Sequence, residues 1–386
     1  MKILFLAGGS PATVFALAPL AQTARNAGHE VFMASSEEML PYVAGAGLPA
    51  VPVTDVTPPE WMFTDRDGSK LALPHEPVEE MRFAGRGFAR LGLHSLPRLT
   101  ALVEAWRPDL VVAGMLSYAA GLICTRYGIP FVRHAWDPAA PTEMDFGANQ
   151  VLRPELDELG LDALPEPDLW IDICPPSLRP PDSVPAQMMR WIPGNQQKRL
   201  EPWMYTKTPG KRRVAITAGS QAGGKVARGQ YGGLLREMYE NLKSVDAEIV
   251  VAAPESIAAD LRDELPGVRI GWIPLDVLAP TCDVIVSHGG GVTSMTATNA
   301  GVPQLLVPTL MHTVAPSERW AEYGAALTIP RGEDTPERSA AAVRELLADP
   351  SYRLRSQELA REIHALPLPV DVLVLLEKLV AEGGRA

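Results

Sequence analysis

The chain has 386 residues, 46% of them hydrophobic and 21% charged, which is typical of a globular protein with room for two domains of ordinary size. Its formal net charge of -11 argues against binding to a nucleic-acid backbone, which needs a basic surface, although local amide groups can still hold an anionic substrate. The three cysteines, Cys124, Cys174 and Cys282, lack the spacing of a zinc site, and so sparse and odd a set indicates a reduced, cytoplasmic protein.

The N-terminal stretch MKILFLAGGSPATVFALAPLA starts with a lysine and an apolar run, as a signal peptide does. The segment Gly8-Gly9-Ser10-Pro11 interrupts that run, and GHEVFMAS follows as a strand, so we predict a folded strand, loop and helix instead. No apolar run reaches membrane-spanning length.

The alternation of short apolar runs with helical stretches predicts a parallel, doubly wound sheet. We expect a helix at Val14–Asn26 and strands at Ile3–Ala7, Glu30–Ala34, Leu110–Ala113 and Pro130–His134.

A proline-rich stretch from Pro165 to Pro209 has no apolar periodicity, which predicts an irregular connector. The alternation then resumes and predicts a second sheet of the same kind. Its strands are expected at Arg213–Thr217, Glu248–Ala252, Arg269–Ile273, Val284–Ser287 and Gln304–Val307, followed by a last helix at Val370–Val380. We therefore predict an N-terminal domain at 1–200, a C-terminal domain at 210–365 and a cleft between them.

The segment from Trp272 to Pro308, WIPLDVLAPTCDVIVSHGGGVTSMTATNAGVPQLLVP, is the most informative part of the chain. Its apolar run at Val284–Val286 leads into His288 and three glycines, which open a helix of small residues. Free amides at a helix start, approached closely through glycine, form an anion site. Hydroxyl donors from Thr293 or Ser294 and a ring donor from His288 make this arrangement suited to a diphosphate. A tight turn between strand and helix is the simpler alternative.

A second glycine loop, Gly219–Val226, reads GSQAGGKV and nearly matches a P-loop. Val226 stands where a P-loop has the hydroxyl that binds Mg²⁺. A P-loop nucleotide hydrolase is therefore an alternative function, and Ser220 alone is explained equally well as the N-cap of a helix.

An Asp-Arg-Asp stretch at Asp65–Asp67 has the pattern that holds a divalent metal in some enzymes. It lies in Pro58–Pro77, which is rich in polar and turn residues and has no flanking strand. We predict a solvated loop there and no metal site.

The loop His134-Ala135-Trp136-Asp137-Pro138 follows a predicted strand and faces the expected cleft. A carboxylate beside an aromatic surface can accept a phenol proton, so Asp137 is a candidate general base. The alternative is a turn in which the Asp137 side chain only caps the backbone before Pro138.

Six segments carry a resemblance to a known family: MKILFLAGGSPATVFALAPLA, RHAWD, DICPPSLRP, EPWMYT, GWIPLDVLAPTCD and the glycine-rich segment described above. They resemble GT-B glycosyltransferases of natural-product pathways, and most specifically the urdamycin-type and tetracycline-type C-glycosyltransferases of aromatic polyketide biosynthesis. The resemblance covers essentially the whole chain. It implies an α/β GT-B fold, in which two Rossmann-like doubly wound domains face a cleft. It also implies that the last helix, about 366–382, packs back on the first domain.

The same resemblance implies roles for individual residues. The donor diphosphate would be bound by Ser220, His288, Gly290, Gly291, Val292 and Thr293. The nucleotide base would lie between Trp272 and Ile273. The sugar would meet Thr309 and Leu310, where glucose-using relatives carry an acidic residue and a glutamine, so a deoxysugar is expected. From their own side-chain chemistry, Met62, Phe83, Tyr118 and Trp136 are aromatic or thioether candidates to stack on a flat aromatic acceptor.

The resemblance also bears on the general base. Many enzymes of this family carry a catalytic histidine in the loop after the first strand, and this chain has none at Gly8–Thr13. Ser10 lies there instead, and a hydroxyl is a poor base unaided. Asp137 matches the aspartate of the family's tryptophan-aspartate motif. We therefore predict Asp137 and Ser10 as catalytic residues.

Together these features predict an inverting, metal-independent hexosyltransferase that needs no cofactor. We expect it to move a deoxysugar, D-olivose, from a dTDP-linked donor to an aromatic carbon of an angucycline-type or tetracycline-type polyketide. No nucleic-acid or membrane partner is expected, and a homodimer is compatible with the sequence. The alternatives are an O-glycosyltransferase for the same acceptors, the nucleotide hydrolase, and a non-catalytic regulator that binds a nucleotide sugar.

Overall fold

The computed structural model describes residues 1–138, 140–219, 227–330 and 332–383. The first half of the chain forms a parallel sheet in the order β3-β2-β1-β4-β5-β6-β7. Its strands are β1 (Lys2–Leu6), β2 (Glu30–Ser36), β3 (Ala50–Thr54), β4 (Leu110–Gly114), β5 (Phe131–His134), β6 (Leu169–Asp172) and β7 (Gln187–Met188). Its helices are α1 (Pro11–Asn26), α2 (Leu40–Gly45), α3 (Pro58–Phe63), α4 (Pro77–Trp106), α5 (Ala119–Tyr127), α6 (Thr142–Val151) and α7 (Arg153–Glu158).

The second half forms a parallel sheet in the order β10-β9-β8-β11-β12-β13. Its strands are β8 (Arg213–Thr217), β9 (Glu248–Ala252), β10 (Arg269–Gly271), β11 (Val284–Ser287), β12 (Gln304–Leu306) and β13 (Ala326–Thr328). The helices of this half are α8 (Pro202–Tyr205), α9 (Ala227–Leu242), α10 (Glu255–Glu264), α11 (Leu275–Leu278), α12 (Gly291–Asn299), α13 (Met311–Tyr323), α14 (Pro336–Ala348), α15 (Pro350–Ala365) and α16 (Pro369–Ala381).

Apolar runs explain why the central strands lie where they do. All five residues of β4 and all five of β8 are buried, because helices cover both faces of each parallel sheet. In each sheet the strand order reverses beside the first strand of that half, between β1 and β4 and between β8 and β11. Ligands of doubly wound sheets bind in the crevice at such a reversal. The loops after β1 and β11 therefore mark the expected site.

The prediction of an irregular connector at 165–209 was wrong in part. Two short strands of that stretch, β6 and β7, extend the first sheet, and the single turn of α8 lies in it too. β7 has only two residues and lies at the edge of the sheet. Prolines, which have no backbone N–H, are tolerated near an edge strand because its outer side forms no hydrogen bonds with another strand. Such short strands are too short to show an alternation of apolar and polar residues. The surrounding prolines therefore led to the prediction of an irregular segment.

The stretch 58–77, predicted as a solvated loop, begins with a helix. α3 starts with a capping box in which Thr57 and Glu60 bond each other's backbone amides. The Asp-Arg-Asp turn after it is exposed, and its two carboxylates accept hydrogen bonds from the backbone amides of Arg66 and Ser69. The part of the chain that the structure describes contains no group of three or more His, Cys, Asp or Glu placed to hold a metal ion.

The helix α16 packs against α1 of the first half. Val372 and Leu376 are fully buried in the core of that half, and His29 Nε2 lies 2.9 Å from Glu377 Oε1. The chain therefore returns to its first half after completing the second. Among the described helices none is both long enough and apolar enough to cross a bilayer.

Candidate active site

A cavity of about 370 Å³ lies between the two halves. Both sheets contribute loops to its wall, and ligand pockets form preferentially at such interfaces between domains. The first half contributes the predicted residues Ser10, Met62, Phe83, Trp136 and Asp137. The second half contributes Trp272, Ile273, His288, Gly290, Gly291, Val292, Thr293 and Leu310.

The donor side of the cavity is built on the loop after β11. Gly290 is the N-cap of α12 and has extended backbone, so the first amides of α12 have no intrahelical acceptor and point into the cleft. Gly289 has a φ of 75°, which favours glycine, and a side chain there would lie 2.8 Å from Ser317 Oγ. The result is a helix start of the kind that binds anions in other proteins, with two glycines before it.

The ring of His288 is packed between the two glycine loops. A Cβ added at Gly290 would lie 2.3 Å from His288 Nε2, and one added at Gly219 would lie 2.6 Å from His288 Cε1. Burial, together with the nearby His312, lowers the pKa of His288 to about 4. The ring is therefore neutral at neutral pH and can donate one N–H to a phosphate oxygen. Its Nδ1 is buried and has no partner in the described part of the chain, whereas Nε2 faces the start of α12.

The end of the cavity that was predicted to bind the nucleotide base is hydrogen-bonded to the last part of the connector. Trp272 Nε1 donates to the Gln196 carbonyl at 2.8 Å. Asn195 Nδ2 and Gln197 Nε2 both donate to the carboxylate of Asp276, at 3.0 and 3.1 Å. Asn195 also lines the cavity. Asn195 was not predicted as a site residue, because the proline-rich connector that contains it was expected to be irregular.

The acceptor side contains Asp137, which is 6% exposed. A Cβ added at Gly291 would lie 1.8 Å from Asp137 Cβ and 3.0 Å from its carboxyl carbon. The predicted base is thus in van der Waals contact with the helix start that is expected to hold the leaving diphosphate. Ser10 is at the N-cap position of α1, makes no side-chain capping bond and lines the same cavity.

An aromatic wall continues from Asp137 along α3 and α4. Phe88 lies 5.1 Å from Trp61 and 6.3 Å from Trp136, and Phe63 lies 5.7 Å from Phe83, between ring centroids. The wall is closely fitted, since a Cβ at Gly87 would lie 2.5 Å from the sulfur of Met62. Such a wall accommodates a flat, apolar ring system.

Two residues predicted for the site, Tyr118 and Thr309, do not line the cavity, and a third, Ser220, lies outside the residues that the structure describes. Tyr118 is buried and does not line the cavity, because its hydroxyl donates to Asp145 at 2.9 Å and Arg133 binds the same carboxylate. Thr309 does not line the cavity either, although Leu310 does. Ser220, like most of the near P-loop Gly219–Val226, lies outside the described residues.

Two charged or titratable side chains line the cavity without having been predicted. Glu80, near the start of α4, brings a second carboxylate to the acceptor side, and His312, at the start of α13, lies close enough to act on His288. Neither had a signal in the sequence. Glu80 lies in a helix that was not predicted, and His312 lies next to the apolar Leu310 and Met311 that were taken to contact the sugar.

Comparison with known proteins places this geometry among enzymes. The model of the family "Erythromycin biosynthesis protein CIII-like" matches over residues 22–219 for its N-terminal domain and 236–379 for its C-terminal domain. The L-demethylnoviosyl transferase of Streptomyces niveus is 35% identical over 382 residues, which is 99% of this chain and 98% of that protein.

Two solved structures have the same architecture. A glycosyltransferase of Streptomyces sp. SF2575 complexed with thymidine diphosphate has a TM-score of 0.85 and 33% identity, covering 98% of this chain and 99% of that one. The spinosyn rhamnosyltransferase complexed with spinosyn aglycone has a TM-score of 0.83 and 26% identity, covering 98% and 100%. The predicted fold class, two Rossmann-like domains of the GT-B kind, is confirmed.

Proposed function

The chain belongs to the erythromycin biosynthesis protein CIII-like family of GT-B glycosyltransferases, and from this we propose that it is an inverting C-glycosyltransferase of aromatic polyketide biosynthesis. The donor is a dTDP-linked deoxysugar, D-olivose, and the acceptor is a phenolic ring of the angucycline or tetracycline type. The observation that carries the proposal is the position of Asp137, between the helix start of α12 and an aromatic wall. Base, leaving-group site and acceptor surface thereby meet in one cavity.

The donor assignment is supported by the chemistry of the second half. A diphosphate suits the free amides of α12, and the neutral ring of His288 adds a donor beside them. The solved relative from Streptomyces sp. SF2575 holds thymidine diphosphate, which favours a dTDP-linked sugar here as well. Leu310 and Met311 line the cavity where the sugar is expected, and apolar side chains suit a sugar that lacks hydroxyls.

The acceptor assignment follows from the base. In the described cavity wall the histidines are His288 and His312, both on the donor side, so the groups facing the acceptor are carboxylates. A carboxylate is a weak base and is matched better to a phenol, with a pKa of about 10, than to an alcohol. The aromatic wall from Trp61 to Trp136 accepts such a ring.

In the proposed step Asp137 takes the phenol proton, and electron density moves to the ring carbon ortho or para to that oxygen. That carbon attacks the anomeric carbon from the face opposite the diphosphate. The new C–C bond forms as the bond from the anomeric carbon to the phosphate oxygen breaks. The attacked carbon then releases its hydrogen as a proton to solvent, and Asp137 returns the first proton to the ring oxygen, which restores the phenol and the free base. His288 and the amides of Gly291 to Thr293 stabilise the departing dTDP.

The test is turnover of purified protein with dTDP-D-olivose and an angucycline or tetracycline aglycone. We expect a product with the mass of aglycone plus sugar whose sugar resists mild acid, as a C–C bond does. Asp137→Asn should abolish the product while dTDP still binds. Asp67→Asn, which neutralises an exposed carboxylate in the 65–67 turn, is the matched control and should keep full activity.

Each alternative has its own outcome in this assay. Release of the sugar by mild acid would identify an O-glycosyltransferase. Donor binding without turnover on any acceptor would favour a regulator that binds a nucleotide sugar. Hydrolysis of ATP would revive the P-loop at 219–226. Full activity of Asp137→Asn would refute the assignment of the base whichever bond is made.

A further inference from the structure

We propose that Arg319, on α13 of the donor half, is a positioning residue that holds the loop of Asp137 in place for catalysis. The inference rests on the proposed function, because it gives Arg319 its role through Asp137. Arg319 Nη2 donates to the carbonyl of Pro138 at 2.6 Å, across the boundary between the two halves. Pro138 directly follows Asp137, so this bond fixes the backbone that carries the base.

The loop of Asp137 is thereby held from two sides by the donor half. On one side Asp137 touches Gly291 at the start of α12, and on the other its neighbour Pro138 accepts the bond from Arg319.

The helix that carries Arg319 is itself rigidly connected to the donor site. Its first residues, Met311, His312 and Thr313, line the cavity, and Arg319 follows about 12 Å further along the helix at 1.5 Å per residue. The next residue, Trp320, is 1% exposed and donates from Nε1 to Thr298 Oγ1 of α12 at 2.9 Å. A donor that orders the starts of α12 and α13 therefore orders the support of Asp137 as well.

A purely structural role explains Arg319 less well. Its Nε is buried and has no acceptor in the described part of the chain. A buried donor left unpaired costs free energy, which makes this residue a poor choice for stability alone. The fixed position of Arg319 instead keeps Asp137 where the reaction needs it, because a base displaced by about 1 Å can lower the rate by about 100-fold.

The experiment compares Arg319→Gln and Arg319→Lys with wild type. For Arg319→Gln we expect kcat to fall about 10- to 100-fold, with KM for the donor, dTDP affinity and melting temperature changed little. Arg319→Lys, which keeps a charged donor, should retain more activity than Arg319→Gln. The control is Arg355→Gln on α15, which removes an exposed arginine paired with Glu358 and should leave kcat unchanged.

A second measurement does not depend on turnover. Amide hydrogen exchange at residues 135–137 in the dTDP complex should be faster in Arg319→Gln than in wild type and unchanged in Arg355→Gln. Unchanged kcat, unchanged exchange, or parallel loss of kcat, dTDP affinity and melting temperature would each overturn the inference. Failure of the proposed function would show differently, as an inactive wild type or an active Asp137→Asn. The exchange experiment still decides the placement of the loop in either case.

Discussion

Gly291→Ala adds a single methyl group at the contact between the donor loop and Asp137. The backbone of Gly291 is not in the left-handed region, so alanine can adopt it without strain. Gly291 is also the first residue of α12, so alanine is compatible with the helix there. The backbone itself therefore tolerates alanine, and any loss of activity or stability must come from the contact.

The size of the loss follows from the geometry. The new Cβ would lie 1.8 Å from Asp137 Cβ, whereas non-bonded carbons approach to about 3.5 Å. The two loops must separate by more than 1 Å for the methyl group to fit. A displacement of that size can cost about 100-fold in rate, or about 2.7 kcal/mol of transition-state stabilisation. We expect kcat/KM to fall by at least that factor.

The assay measures steady-state transfer, dTDP affinity by calorimetry and the melting temperature. We expect dTDP affinity within about threefold of wild type, because the amides of α12 are retained, and a lower melting temperature, because the added methyl group overpacks the contact with the buried Asp137. Gly233→Ala in α9 is the control, since a Cβ there meets nothing within 4 Å. Wild-type activity of Gly291→Ala would refute the argued contact. An equal loss of dTDP affinity and rate would mean that the glycine serves the phosphates and not the base.

Three further outcomes test the site and its electrostatics. His288→Ala should lower kcat/KM by about 100- to 1,000-fold, because a donor aimed at the leaving charge is lost, and normal turnover with normal dTDP affinity would contradict that role. Activity should survive EDTA, since helix amides and His288 stand where a metal would act; loss on chelation that Mg²⁺ or Mn²⁺ restores would point to the carboxylates of residues 65–67. Burial lowers the pKa of the fully buried His134 from 6.5 to about 4, so the unfolded chain binds its proton more tightly than the folded chain. Stability measured by denaturant unfolding should be full above pH 6.5 and fall towards pH 4, and His134 should contribute about 3 kcal/mol of that fall beside the similarly buried His288. The fall should be smaller by that amount in His134→Asn but as in wild type for the exposed His75→Asn.

The sequence predicted the bounds of the structure best for strands that are covered by helices on both faces. Strands β8, β9 and β11 have the bounds predicted from their apolar runs, because a strand covered on both faces must be apolar throughout. The glycine loop after β11 lies between a strand and a helix, as its residues predicted, and its role in binding the donor stays a prediction. The structure brings Asp137 next to that loop, a contact between residues far apart in the chain that no local pattern encodes.

The missed elements share a physical cause. The short strands β6 and β7 are formed through pairing with a neighbour, so their own residues carry little signal. Tyr118 was expected to stack on the acceptor because its side chain is aromatic, but pairing with Asp145 keeps it out of the cavity. Asn195 was overlooked because its place depends on Asp276, in the other half of the molecule.

The return of α16 to the first half has a consequence for the order in which the protein is made. All strands of the first sheet have been synthesised once β7 is made. The side of α1 that packs against α16 stays exposed until α16 is synthesised, after the entire second half. Val372 and Leu376 of that helix are buried in the same core as Leu17 and Leu20 of α1. The nascent first half must therefore carry an uncovered apolar surface throughout most of translation, which invites chaperone binding. A fragment of residues 1–200 should aggregate on its own and become more soluble when a peptide of residues 366–383 is supplied in trans.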